Sequence, residues 1–189
     1  MNFRILHYDT VDSTNDLALE FAREGAAEGT VVAADYQTHG RGRFKRRWVS
    51  PRGAGLLFSI VLRPTLKTSA APILTHWAAQ SIREILQEKF ALPATLKRPN
   101  DVLVGGKKIA GILTEARGQG SRVEYVVLGV GLNVNTKRQG LLRTATSIFL
   151  ETGKKVKKDG LLEDILGIFK AKCGSGSSDS KGKELGCVS

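Results

Sequence analysis

Val102-Leu103-Val104-Gly105-Gly106-Lys107-Lys108-Ile109-Ala110-Gly111-Ile112-Leu113-Thr114-Glu115 reads as two strands joined by a Gly-Gly turn. Paired glycines supply the positive φ that a tight two-residue hairpin turn demands. A hairpin in mid-chain argues for antiparallel pairing and against a doubly wound parallel sheet, whose neighbouring strands need helical crossovers. Outward from it, residues 95–97 form a short strand, and 122–134 a buried strand carrying Gly129 and Gly131. Residues 30–35 and the long apolar run 55–62, ended by Pro64, add two more. Helices flank these strands. One runs from an N-cap at Ser13 or Thr14 to about Glu24, with Leu17, Ala18 and Phe21 as its buried stripe. A second, 73–89, turns Ile73, Trp77, Ile82, Ile85 and Leu86 inward. Residues 146–150 and 161–172 complete the set, the last with Leu161, Leu162, Ile165, Leu166 and Phe169 on one side. The expected fold class is α+β, a mixed, largely antiparallel sheet flanked by helices. Residues 1–173 are expected to form one domain. The Gly-, Ser- and Lys-rich stretch 174–189 is expected to be a disordered tail.

The 189-residue chain carries 29 Lys and Arg against 18 Asp and Glu, a net charge of +11. Such a balance suits nucleic acid, a small anionic substrate or an acidic partner, and does not decide among them. No apolar run reaches the roughly 18 residues of a membrane span, and the N-terminus lacks a signal-peptide pattern. Cys173 and Cys187 have no metal-ligand company, so neither is expected to function. A cytoplasmic protein is the expectation.

Four islands carry the candidate chemistry. Asp12-Ser13-Thr14-Asn15 can cap a helix or hydrogen-bond an amide or urea at the helix start. Gln37 leads into Gly40-Arg41-Gly42-Arg43-Phe44-Lys45-Arg46-Arg47-Trp48, a Gly-punctuated cationic loop with a flat indole. Its guanidinium forks suit phosphate or carboxylate oxygens. Lys97-Arg98-Pro99-Asn100-Asp101 is a turn whose Asn100 and Asp101 offer oxygen ligands to Mg²⁺. Lys108 then opens a strand whose Gly111 permits close approach. Gly129-Val130-Gly131-Leu132-Asn133 places two glycines in a strand, where they mark close approach to the backbone. The sequence holds no Walker-type phosphate loop, no Gly-x-Gly-x-x-Gly after a strand, and no His pair or Ser/His/Asp arrangement. These absences favour a reaction run by charge neutralisation and positioning.

In this order, the islands, with Ser50-Pro51 and Ile112-Leu113, closely resemble the biotin–protein ligases over residues 5–172. The resemblance implies the biotin/lipoate ligase catalytic domain, a class II aminoacyl-tRNA synthetase-like fold. It implies that biotin and MgATP give biotinyl-5′-AMP, whose biotinyl group passes to one lysine of a biotin carboxyl carrier protein such as that of acetyl-CoA carboxylase. By the same resemblance, Lys108, Arg43 and Arg46 are catalytic cations. Ser13, Thr14, Asn15, Gln37, Gly40, Arg41, Gly42, Lys108, Gly111, Ile112, Gly129 and Gly131 bind biotin. Arg43, Arg46, Trp48, Asn100, Asp101, Lys108 and Asn133 bind the adenylate, with Asn100 and Asp101 near the metal. Arg98 departs from the tryptophan usual before Pro99. The expectation is a monofunctional member, without a DNA-binding helix-turn-helix and without the small C-terminal β-domain. No specific DNA and no membrane are expected as partners, and a homodimer is compatible with the resemblance.

Two other readings remain open at this level. A lipoate–protein ligase shares the fold and the chemistry. A nucleic-acid-binding module is suggested by the +11 charge and the cluster Lys154, Lys155, Lys157, Lys158.

Overall fold

A computed structural model of the chain describes residues 1–65, 71–119 and 122–175. The strands are β1 (Arg4–Val11), β2 (Thr30–Gln37), β3 (Gly55–Leu62), β4 (Ala94–Lys97), β5 (Asp101–Val104), β6 (Lys107–Gln119) and β7 (Arg122–Asn133). The helices are α1 (Thr14–Arg23), α2 (Pro72–Phe90), α3 (Ile148–Thr152) and α4 (Lys158–Ser175). All seven strands share one sheet in the order β1-β2-β3-β7-β6-β5-β4. Among the described strands only β1 and β2 run parallel, joined through α1; every other pair is antiparallel. The mixed, largely antiparallel α+β class holds.

Alternation along the strands divides the sheet into two faces. Phe58, Ile60 and Leu62 of β3, Leu128, Val130 and Leu132 of β7, and Ala110 and Ile112 of β6 join one large core with α2 and α4. The opposite face is covered by α1 at one end only, where Ala18, Leu19 and Ala22 pack on Val32, Val61 and Val127. Its other end carries glycines instead of side chains. That uncovered half-face is where the islands meet.

Several expectations shift. β1 carries no clean apolar alternation because it is an edge strand, largely exposed along its length. In α1 the buried positions include Leu19 and Ala22, with Leu17 and Phe21 at the margin of the cluster, so the stripe is rotated from the expected one. In α2, Leu74, Ala78 and Ala79 are buried, while Ile73 and Trp77 are only partly so. α3 begins two residues late because Ser147 is its N-cap, accepting from Leu150 N at 3.2 Å. The last helix runs on through Gly174 and Ser175, past the expected tail boundary; the rest of that tail, with Cys187, lies outside the described residues. No helix of the described residues is long and apolar enough to cross a membrane.

Candidate functional site

The site is a trough whose floor is set by strand register. Leu57, Gly131, Gly111 and Asp101 are successive partners across β3, β7, β6 and β5. Ser59, Gly129 and Leu113 form the neighbouring row. Paired residues project to the same side, so both rows face away from the core. Two side chains lie directly on the glycine backbone. A Cβ on Gly129 would fall 1.7 Å from Asn15 Oδ1, and one on Gly131 would fall 2.4 Å from Trp48 Cε2. Ile112, expected in the slot wall, points the other way. It is one residue out of phase with Gly111 and sits fully buried in the α2/α4 core. Only its backbone serves the site, exchanging hydrogen bonds with Asn100 at 2.9 Å in each direction.

One end of the trough is uncharged and rich in hydrogen bonds. Ser13 caps α1 by accepting from Asp16 N at 3.4 Å, which fixes the direction of the residues behind it. Thr14 donates to Gln37 Oε1 from both its N (2.7 Å) and its Oγ1 (3.1 Å). Ser59 Oγ lies 2.8 Å from Thr14 Oγ1 and 2.7 Å from Asn15 Oδ1. Asn15 Nδ2 donates to Leu113 O at 3.3 Å and to Glu115 Oε2 at 3.1 Å. Because Gln37 Oε1 is taken by Thr14, Gln37 turns its amide N–H₂ toward Gly40 at the start of the cationic loop. This end offers neutral donors and hydroxyl lone pairs, the complement of a urea.

The Gly/Arg loop folds over the trough as a small hairpin. Trp48 N donates to Gly40 O at 2.9 Å and Gly42 N to Arg46 O at 2.8 Å, and Arg47 reaches back to Thr38 O at 2.7 Å. Phe44 and Lys45, at the tip, adopt left-handed φ values of 55° and 59°. That conformation costs non-glycine residues roughly 1 kcal/mol each. Phe44 is held 82 % exposed. Beneath the loop lies a cavity of about 420 Å³, lined by residues 39–47 and Leu113. Arg41 is part of that lining and spends its guanidinium on carboxylates of the protein. It bridges Asp16 on α1 and Glu115 on β6, the latter at 2.8 Å. Burial disfavours its charge, yet hydrogen bonding and attraction from Glu115, then Asp16, outweigh that and raise its pKa above the ordinary value.

The other end is cationic, and a β-bulge builds it. β5 and β6 pair Val102 with Ala110 and then Leu103 with Lys108, skipping Ile109. The bulge re-aims the lysine. Lys108 joins Gly111 and Asp101 on the trough face, with Nζ 2.6 Å from Asp101 Oδ1 and 5.5 Å from the centre of the Trp48 ring. The segment at residues 144–146 pins this strand end: Lys108 N donates to Thr144 O and Thr146 N to Lys108 O, both at 2.9 Å. Asn133, 3 % exposed, donates to Thr146 O at 3.0 Å and so holds that segment. Arg43 points at Asn100 Oδ1 from 3.5 Å, the limit of a hydrogen bond. Arg46 is exposed, at the rim of the cavity under the loop. Arg98 is also exposed, so it displaces no packing. Trp48 Nε1 is buried with no hydrogen-bond partner.

For a metal, Asp101 contributes one carboxylate and Asn100 one amide oxygen. Among the described residues no three His, Cys, Asp or Glu side chains converge. One carboxylate and one amide fit Mg²⁺ that arrives on phosphates and keeps most of its waters, not a cage of protein ligands. Sequence reasoning missed Ser59, Glu115 and the 144–146 segment. Ser59 had a signal, as the lone hydroxyl inside an eight-residue apolar strand. Glu115 had one too, at the i+4 position from Gly111 on the same face.

The profile of the biotin/lipoate A/B protein ligase family matches residues 8–133. The bifunctional ligase/repressor BirA of Bacillus subtilis is 38 % identical over 173 residues, 89 % of this chain and 53 % of that protein. The biotin–[acetyl-CoA-carboxylase] ligase of Paracoccus denitrificans is 42 % identical over 125 residues, 65 % of this chain and 51 % of that protein. Among solved structures, the biotin protein ligase of Aquifex aeolicus in complex with biotin and ATP superposes with a TM-score of 0.73. It is 30 % identical, over 89 % of this chain and 69 % of that one. The chain thus spans about half the length of the curated relatives it matches.

Proposed function

This chain belongs to the biotin/lipoate A/B protein ligase family, and from that membership and the two unlike ends of its trough we propose that it is a biotin–protein ligase, with residues 1–173 as its catalytic domain. It activates biotin with ATP and passes the biotinyl group to a lysine of a biotin carboxyl carrier protein, in a cytoplasmic setting where ATP and such an acceptor meet. In the first step a biotin carboxylate oxygen attacks the α-phosphorus of ATP. The bond to the bridging oxygen breaks, and pyrophosphate leaves. In the second step the neutral amine of the acceptor lysine attacks the biotinyl carbonyl carbon. The C–O bond to phosphate breaks, AMP leaves, and the lysine nitrogen gives up its proton to water.

The observation that carries this reading is the register that sets a neutral hydrogen-bonding end and a cationic end on one glycine floor. Thr14, Gln37, Ser59 and Asn15 would grip the ureido ring. That same end favours biotin over lipoate, whose dithiolane ring has no polar atoms to use these groups. Gly111, Gly129 and Gly131 let Lys108, Asn15 and Trp48 lie directly on the sheet backbone, keeping these groups low around the slot. The physical obstacle is to bring a carboxylate against an α-phosphate. Lys108, Arg43 and Arg46 offset that repulsion, each charge-assisted hydrogen bond contributing about 1.5–3 kcal/mol. Lys108 is paired with Asp101, so an incoming carboxylate must draw its ammonium away. Asn100 and Asp101 would hold Mg²⁺ on the phosphates, where it supplies further charge neutralisation. Trp48 would rise from the Gly131 floor to stack on adenine. Asn133 supports the nucleotide side through the 144–146 segment. The loop from Gly40 to Trp48 would shield the anhydride from water.

A basic nucleic-acid module has less support. Lys158, one of the four clustered lysines, is spent in an ion pair with Asp35 at 2.5 Å. The test is pyrophosphate release on adding biotin and MgATP, with and without a carrier domain. Biotin-dependent release with label on the acceptor lysine is expected. Lipoate-dependent release, or nanomolar binding to random duplex DNA at physiological salt with no release, would overturn the reading.

A further inference from the structure

Glu115 ties the two halves of the site together. Its side chain is 15 % exposed, on the same face of β6 as Gly111 and Leu113. One carboxylate oxygen, Oε2, accepts from Asn15 Nδ2 at 3.1 Å, at the neutral end of the trough. The other, Oε1, accepts from Arg41 NH2 at 2.8 Å, at the base of the loop. Arg41 in turn holds Asp16, one helical position beyond Asn15. A carboxylate only accepts, so both partners must present N–H groups to it. Together with Leu113 O, which accepts from the same Nδ2 at 3.3 Å, this decides which way the Asn15 amide faces: Nδ2 toward Glu115, Oδ1 toward Ser59. Ser59 Oγ thus has two acceptors for its single proton, Asn15 Oδ1 and Thr14 Oγ1, whose own proton goes to Gln37. The same carboxylate seats the loop over the trough through Arg41.

We propose that Glu115 is a positioning residue that fixes the hydrogen-bond polarity of the substrate end and latches the Arg41 loop above it, so that slot and lid are set by one group. The proposal rests on the ligase reading for its kinetic consequences, but not for the latch itself. It gives Arg41 a role in holding the loop instead of one in touching substrate.

The substitution Glu115→Gln keeps the shape and removes the symmetry. A carboxamide has one accepting oxygen and one donating nitrogen, so it satisfies either Asn15 or Arg41 and sets a donor against the other. Two readouts follow. The first needs no ligand. Lid residues Arg43, Lys45, Arg46 and Arg47 are trypsin sites, and cleavage there should quicken by about tenfold as one charge-assisted contact is lost. Arg41→Gln, which gives up Asp16 as well, should quicken it at least as much while leaving Asn15 in place. The double variant should be no faster than Arg41→Gln alone, because both cut one latch. The second readout is kinetic: KM for biotin should rise and more biotinyl-adenylate should escape to solvent, whereas a merely structural role would lower active fraction without moving KM. Wild-type lid cleavage in both single variants, or additive effects in the double, would overturn the latch. If the wild-type protein forms no adenylate, the ligase reading fails and the proteolysis result alone decides the latch. Should Glu115→Gln fold poorly, Arg41→Gln, on an exposed side chain, carries the same cleavage test.

Discussion

Gly129→Ala and Gly131→Ala are the same chemical change, two residues apart on one strand, yet the structure assigns them different costs. At Gly129 the new methyl would fall 1.7 Å from Asn15 Oδ1 and 2.7 Å from its Cγ. Asn15 cannot yield cheaply, because it is held by Ser59 at 2.7 Å, Glu115 at 3.1 Å and Leu113 O at 3.3 Å. Moving it breaks three partly or fully buried hydrogen bonds at about 1 kcal/mol each, roughly 3 kcal/mol in all. For a chain of this size that lowers the unfolding midpoint by about 6–12 °C. At Gly131 the obstacle is the Trp48 indole, 2.4 Å away at Cε2. The indole belongs to a loop that can lift, and its N–H has no partner where it lies. Lifting it forfeits packing but returns that N–H to water, which is worth about 1–3 kcal/mol by itself. The two effects nearly cancel, so the midpoint should stay within about 3 °C of wild type.

The assay is thermal unfolding by circular dichroism, paired with tryptophan emission in a Trp77→Phe background that isolates Trp48. Gly129→Ala should melt early with unchanged Trp48 emission. Gly131→Ala should melt near wild type with emission shifted to the red as the indole meets solvent. Biotin affinity, read by calorimetry, should fall in both. Equal destabilisation by the two substitutions, or a larger loss from Gly131→Ala, would refute the claim that Asn15 is fixed and Trp48 movable.

Further outcomes test the cationic end and the acid stability. Lys108→Ala should retain the fold and lose adenylation by about 100-fold or more, the scale of one removed charge-stabilising group; near-normal pyrophosphate release would remove Lys108 from that role. Arg43→Ala should let biotinyl-5′-AMP leave faster, read as adenylate in the filtrate after spin filtration, and an unchanged release rate would count against the loop as a seal. Asp35 has its pKa lowered below 3.8, first by its hydrogen bond from Lys158, with burial opposing and the charges of Lys158 and His7 adding. Its contribution is therefore complete above the unfolded carboxylate pKa and is lost as pH falls through the lower folded value. Asp35→Asn should cost about 1 kcal/mol at neutral pH, the scale of a partly exposed pair. The variant should also lose less stability than wild type on acidification below about pH 4, and parallel acid limbs in the two proteins would contradict the pairing.

Local pattern was enough for the central hairpin, the capped start of α1 and the glycines of β7, because each is written within a few residues. An N-cap at Ser13 or Thr14 needed only a hydroxyl before an apolar period; which of the two it is, Ser13, came from the fold. Ile112 misled because proximity in sequence to Gly111 is not proximity in space: strand alternation sends neighbours to opposite faces. The ion pairs of Arg41 were hidden for a different reason. An arginine in a Gly/Arg loop looks like its neighbours, and only the carboxylates at Asp16 and Glu115, 25 and 74 residues away, turn it into a latch.

Lys108 was singled out by its motif, but how it reaches the trough face was not legible. In a regular hairpin, alternation would put Lys108 on the same face as Ala110 and Ile112, in the α2/α4 core. Skipping Ile109 reverses that, and nothing in Lys107-Lys108-Ile109-Ala110 marks which residue bulges. The decision is made elsewhere. The β6–β7 ladder ends with Ala110 opposite Leu132, so the first residues of β6 lose that neighbour and pair instead with residues 144–146. Asn133 fixes those residues by donating to Thr146 O, and Asp101 receives the re-aimed ammonium. The bulge is therefore a tertiary product of three segments. It follows that Asn133→Ala, far in sequence from Lys108 and not itself a cation, should impair adenylation by loosening the bulge. The impairment should follow the loss of the Lys108–Asp101 pair, read from the Lys108 ammonium by NMR, and an unperturbed Lys108 signal in that variant would show that the bulge stands without the 144–146 segment.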